Sequence, residues 1–168
     1  VAYVQGLQDG DVIATAKHFP GHGDTAVDSH SDLPVLPFDL ARLHRIELIP
    51  FRAAINNGLM SVMTAHVALP EIEPDTTLPA TLSRRIIRGV LRDELNFQGL
   101  VVTDALNMEG VTKHYGVGEA AVRAIEAGVD LLLMSRDEVA ARRTILEAVE
   151  QGRLTEERID RSVLRILR

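Results

Sequence analysis

The sequence predicts an α/β fold of repeated strand–loop–helix units, and three observations carry the prediction. Four short runs, Val12 to Ala16, Leu59 to Ala65, Leu100 to Thr103 and Val129 to Met134, are continuously apolar rather than alternating. Such runs suit strands buried on both faces, as in a parallel sheet covered by helices. Helical patterns separate them, and each run is followed by polar residues at its C-terminal end. Four such units, joined by right-handed crossovers, leave an open doubly wound sheet or half of a (β/α)8 barrel as the main options.

The first run leads into Lys17, His18, Phe19, Pro20, Gly21, His22, Gly23, Asp24 and Thr25, followed by Asp28, Ser29 and His30. Proline lacks a donor N–H and glycine favours turns, so Pro20, Gly21 and Gly23 end the strand and place the polar side chains on a loop. Leu40 to Asn56 then carries apolar residues at helical spacing; Pro50 should kink or restart that helix and Asn57-Gly58 should end it. After the second run, a loop with Pro70, Pro74 and Pro79 leads to Ser83, a candidate N-cap for a helix to Leu95. Arg84, Arg85, Arg88 and Arg92 fall on one face of that helix and Ile86, Ile87, Val90, Leu91 and Leu95 on the other, the pattern of a solvated face opposite a core face. Gly118 to Ala127 and Asp137 to Glu150 flank the fourth run, and Thr155 opens a last helix to Arg168.

Composition narrows the function classes. The 168 residues can bury one core and make one domain or part of one. A formal charge of -6 argues against a nucleic-acid footprint or a polybasic membrane surface, and no apolar run reaches the length of a membrane span. Without cysteine there is no disulfide framework and no thiolate chemistry, and the compartment, cytoplasmic or secreted, stays open. The opening residues carry neither an initiator Met nor a signal-peptide pattern and read as cut from something longer. Gly116-Val117-Gly118 lacks the strand–turn–helix context of a dinucleotide loop, so no nucleotide cofactor is expected.

The groups able to do chemistry cluster at strand ends: Lys17 and His18 after the first run, Thr64 and His66 at the second, Asp104 at the third, Ser135 and Arg136 after the fourth. In a barrel these ends converge on one face and surround one pocket. Asp104 directly follows an apolar strand, where a carboxylate is costly unless paired or used; capping of the following helix is the plainer alternative. Asp28 and His30 are two apart, close enough on an extended loop for the carboxylate to reach a ring nitrogen, fix the tautomer and favour the protonated ring. His18 and His22, with Asp24 or Asp28, have the residue types of a metal site, but Pro20-Gly21 breaks the helix that would put both rings on one face, so no metal is expected. His44 and His114 read as ordinary surface or helix residues.

Residues 17–25, 28–30, Met63 to His66 and Val102 to Met108, with the Arg45 to Phe51 segment and the Ser83 to Gly99 approach to Asp104, resemble the β-N-acetylglucosaminidases of glycoside hydrolase family 3 over essentially the whole chain. The resemblance implies an α/β fold that is the second half, about strands five to eight, of the family's N-terminal (β/α)8 domain, across residues 1–168. It places Asp104 as catalytic nucleophile, His30 as general acid/base and Asp28 as the partner that orients it. Lys17 and His18 would bind sugar hydroxyls, His66 would line the same pocket, and His22 would be a structural member of the loop. The implied reaction is retaining, cofactor-free removal of terminal β-linked N-acetylglucosamine from muropeptides or chitin-type oligosaccharides, as in peptidoglycan turnover. Transfer to phosphate, as in a family phosphorylase, and a carbohydrate-binding pseudoenzyme are the alternatives. The first four units, which supply an aspartate and an arginine to the sugar site in the family, are absent from this sequence, so the chain alone is expected to be inactive or marginally folded.

Overall fold

The computed structural model describes residues 1–25 and 27–168. Four strands, β1 (Thr15–Phe19), β2 (Ser61–Thr64), β3 (Leu100–Ala105) and β4 (Leu131–Leu133), form one parallel sheet in chain order. Thr15 pairs with Ser61, Ser61 with Leu100, and Val102 with Leu131. Sequential parallel order with helical crossovers is a barrel-type arrangement rather than a doubly wound one, in which strand order reverses. Among the described residues β1 and β4 each pair along one edge only.

The helices are α1 (Ala2–Asp9), α2 (Leu40–Arg45), α3 (Leu48–Ile55), α4 (Glu109–Thr112), α5 (Val117–Ala127), α6 (Glu138–Glu150) and α7 (Glu156–Ile166). Arg85–Glu94 is a π-helix, and Leu95 N–H closes it on the Val90 carbonyl. Local chemistry sets most of the starts. Asp39, Asp137 and Thr155 each accept the amide three residues on, and the Ser83 hydroxyl accepts from Ile86 N–H at 3.3 Å. The expected Leu40 to Asn56 helix is divided, but at Ile46 rather than Pro50. Ile46 leaves helical geometry, whereas Pro50 sits in the first turn of α3, where its missing N–H would have had no intrahelical partner.

The core lies between the sheet and the helices. Phe19, Val62 and Val101 on the strands meet Leu43, Leu48, Phe51, Ile86, Ile87 and Leu91, with Phe19 and Phe51 edge to face at 5.2 Å. The other face differs from the expectation of strands covered on both sides: Thr15, Lys17 and Leu131 are exposed. No helix among the described residues is long and apolar enough to cross a membrane.

Candidate active site

β1 begins three residues later than its apolar run, because pairing to β2 starts at Thr15. Lys17 and His18 therefore lie on the strand itself and only from Pro20 does the loop begin, a correction to the expected loop placement of both. Asp104 likewise lies within β3, one residue from its end. Parallel strands present their C-terminal ends on one side. There a cavity of about 760 Å³ is lined by Lys17, His18, Asp28, His30 and Asp104 together, with Glu47 and Phe51 from the α2–α3 segment.

Asp104 is four-fifths buried, and its Oδ2 lies 3.5 Å from His18 Nε2. Its Oδ1 accepts the N–H of Ala105 at 2.8 Å, so the carboxylate caps its own strand end and not a following helix. Burial holds the His18 imidazole below its ordinary value, outweighing the attraction of Asp104, with the Lys17 ammonium pushing the same way as burial. At neutral pH the ring is thus uncharged, able to donate from one nitrogen and accept at the other. Lys17, which also lines the cavity, makes no ion pair or side-chain hydrogen bond among the described residues.

The loop brings the second pair. Asp28 Oδ1 accepts from His30 Nδ1 at 2.8 Å and from the His30 backbone N–H at 2.9 Å. Those two hydrogen bonds hold the Asp28 carboxyl below the usual carboxylate range. They also fix the ring so that Nε2 faces away from Asp28. Both side chains are about three-quarters exposed. His22 Nε2 pairs with the Ser29 hydroxyl at 2.9 Å, bracing the loop from within. Its ring centroid lies 6.0 Å from that of His18, and among the described residues no three His, Cys, Asp or Glu side chains gather in a metal-binding group.

His66 is not brought to the cavity. It is fully buried, with Nδ1 on the Thr81 hydroxyl at 2.9 Å and Nε2 donating to the Ala105 carbonyl at 3.0 Å. It stands behind the Asp104–Ala105 peptide instead of lining the pocket. Sequence reasoning missed Arg42 and Glu47, which do line it. The available signal was an acid, Glu47, between Ile46 and Leu48 in an otherwise apolar helical pattern.

A larger groove, about 1140 Å³, opens in the outer helical layer between the Arg85–Glu94 helix, the end of α5 and α7. Its walls include Arg92, Arg153 and Arg165, which are committed to Asp130, to Glu119 and Glu126, and to Asp130 respectively. It holds no pairing of a nucleophile with an acid.

Known proteins resemble this chain in sequence and in fold. The structure of a glycoside hydrolase family 3 beta-N-acetylglucosaminidase from Paenibacillus sp. str. FPU-7 superposes with a TM-score of 0.94 at 57% identity, covering 98% of this chain and 32% of that one. Beta-glucoside phosphorylase BglX superposes with a TM-score of 0.92 at 30% identity over 99% of this chain and 31% of that one. Beta-hexosaminidase A of Pseudoalteromonas piscicida is 34% identical over 185 residues, 99% of this chain and 31% of that protein. The chain thus spans about a third of the length of these relatives. Matched along residues 1–168 by the model for the glycosyl hydrolase family 3 N terminal domain, it belongs to glycosyl hydrolase family 3.

Proposed function

We propose that this chain carries the nucleophile and the acid/base of a retaining β-N-acetylglucosaminidase. The single observation that supports it most is one cavity lined by the Asp104 carboxylate and by a His30 ring already oriented by Asp28. Asp104 attacks the anomeric carbon while His30 Nε2 gives a proton to the departing oxygen, so the glycosidic bond breaks as the glycosyl–carboxylate bond forms. Water, losing a proton to His30, then attacks the same carbon and frees Asp104 with net retention. Neutral His18 and the Lys17 ammonium bind sugar hydroxyls, and His66 supports Asp104 from behind. The exposure of His30 fits a loop that moves inward over bound sugar and excludes water.

In this reading the four units are strands five to eight of a (β/α)8 barrel, and residues 1–168 are one part of the catalytic domain. The coverage of relatives by about a third and the single-sided pairing of β1 and β4 support it. The substrate is a saccharide ending in β-linked N-acetylglucosamine, a muropeptide or chitin-type oligosaccharide, and peptidoglycan turnover is the corresponding role. No cofactor enters the reaction.

The test uses the full-length gene product with aryl N-acetylglucosaminides, chitobiose and a muropeptide. Asp104→Asn should lower turnover by at least about a thousandfold, and a 2-fluoro sugar should label Asp104. His30→Gly should spare kcat/KM for an activated aryl glycoside and lose about a hundredfold or more on chitobiose. Labelling elsewhere, or equal losses on both substrates, would overturn the assignment. Assays with added phosphate separate hydrolysis from phosphorolysis by the product, free sugar or sugar 1-phosphate.

A further inference from the structure

One ion pair in the cavity wall has no part in the chemistry above. Glu47 sits at the break between α2 and α3, and its side chain is nine-tenths buried. Its Oε1 accepts from Arg42 Nε at 3.1 Å and Nη2 at 2.9 Å. The same Nη2 donates to Asp24 Oδ2 at 3.0 Å, and the guanidinium lies over the Phe38 ring, 4.4 Å from its centroid. Beneath it the loop backbone rests on the Glu47 stem: a Cβ on Gly21, at φ +145, would stand 2.7 Å from Glu47 Cγ. One buried pair therefore holds the start of the loop twice, at Gly21 by contact and at Asp24 by charge.

The far end is held separately. Ser29 and Ser31 carbonyls accept from Gly110 N–H and Lys113 Nζ, and Val35 bridges to Ala68. His30 sits between the tied Ser29 and Ser31, and the Gly21 anchor reaches it through the neighbouring His22, whose Nε2 pairs with the Ser29 hydroxyl at 2.9 Å. Among the described residues the His30 side chain bonds only Asp28, so where its Nε2 points is decided by where this stretch of loop is tied. Among the described residues the buried Glu47 Oε2 has no hydrogen-bond partner, so the carboxylate is held through Oε1 alone.

We propose that Arg42 and Glu47 are positioning residues that set the reach of His30, acting through Asp24 and Gly21 on the loop that carries it. This rests on the reading of His30 as the acid. Displacing a catalytic group by about 1 Å costs up to about a hundredfold, and the loss falls only on steps that use the group.

The experiment compares Arg42→Gln, Glu47→Gln and Asp24→Asn in the full-length gene product, with His30→Gly alongside. For Arg42→Gln and Glu47→Gln, kcat/KM on chitobiose should fall about 10- to 100-fold. On an activated aryl N-acetylglucosaminide, whose leaving group needs no proton, it should fall less than about threefold. Asp24→Asn, which alters only an exposed carboxylate, should show the same selectivity at a smaller size, and it carries the test if the other two do not fold. Equal factors on both substrates, or none on either, would overturn the anchor while His30→Gly retains its selectivity. Loss of selectivity in His30→Gly would instead remove the acid assignment, and the anchor with it.

Discussion

Replacing His66 with Leu removes both ring nitrogens while keeping most of the bulk, and the surrounding protons allow the cost to be worked out. His66 Nε2 faces the Ala105 carbonyl at 3.0 Å, which can only accept, so Nε2 carries the hydrogen. Burial keeps the ring neutral, leaving Nδ1 as an acceptor for the Thr81 hydroxyl at 2.9 Å. Thr81 has one proton to give. If it goes to His66, Thr81 Oγ1 still accepts from the Thr64 hydroxyl at 2.9 Å, and the Ala65 carbonyl keeps the Thr81 N–H at 3.3 Å. Every group in this network of five residues is satisfied in that one arrangement.

His66→Leu deletes two hydrogen bonds, each worth about 0.5–1.5 kcal/mol net, for a loss of about 1–3 kcal/mol. The Thr81 hydroxyl can turn to Ala65 O at 2.9 Å, so the damage concentrates at Ala105, whose carbonyl keeps only the Met108 N–H at 3.2 Å. Thr81→Val alone strands both Nδ1 and the Thr64 hydroxyl and costs a similar amount, but much of that vanishes once His66 is Leu. Urea unfolding of the two single variants and the double variant should give a coupling above about 0.5 kcal/mol, where unconnected sites add within that margin. The same ring sets a pH dependence. A histidine held below its unfolded value contributes stability that is present above about pH 6.5 and is lost as pH falls through its folded value. Wild type should therefore lose stability more steeply than His66→Leu between about pH 7 and 5. Additive energies, or parallel slopes, would refute the proton arrangement.

Two further substitutions probe the opposite end of the sheet. Asp130 is fully buried and accepts from Arg92 Nη2 at 2.7 Å, Val101 N–H at 3.0 Å, the Ser162 hydroxyl at 2.6 Å and Arg165 Nη1 at 3.1 Å. Asp130→Ala should cost about 3–5 kcal/mol by leaving the buried Arg92 unpaired, read as a lowered denaturation midpoint, and Asp130→Asn should cost less. Gly99→Ala would drive a Cβ into the Met60 carbonyl, which belongs to the β2 entry and cannot swing aside, so thermal unfolding should register a loss of about 1–3 kcal/mol.

The α/β class and the four strands were legible because buried parallel strands leave short unbroken apolar runs. Their exact limits were not: Val12 and Ile13 are apolar but half exposed ahead of β1, and only pairing with Ser61 defines where the strand starts. The apolar spacing of 86, 87, 90, 91 and 95 marks a helix, yet it does not distinguish an i→i+5 ladder from the ordinary one. Helices α1 and α4 went unread; α4 is a single turn with no capping side chain. The meeting of Lys17, His18, Asp28, His30 and Asp104 in one cavity follows from parallel order, which sends strand ends to one side. Whether a strand-end side chain faces the cavity or the layer behind it does not follow, and His66 is the case in point. The Arg42–Asp24 contact joins residues 18 apart across a loop, and no local pattern encodes it.

The two ends of this sheet treat charge in opposite ways. At the N-terminal end, each oxygen of Asp130 is filled by a guanidinium and a second donor. At the C-terminal end, Asp104 meets His18 only at 3.5 Å, and among the described residues Lys17 has no ion-pair partner and Glu47 Oε2 has no donor. Burial penalises unpaired polar groups, so a fold selected for stability alone would complete the partners of Asp104 and Glu47 as it completes those of Asp130. Incomplete pairing of Asp104 and Glu47 around one cavity is what a ligand able to supply the missing donors would meet. A polyhydroxylated ring with an acetamido group offers such donors, which is why the saccharide reading accounts for the unfilled groups as well as for the nucleophile and the acid.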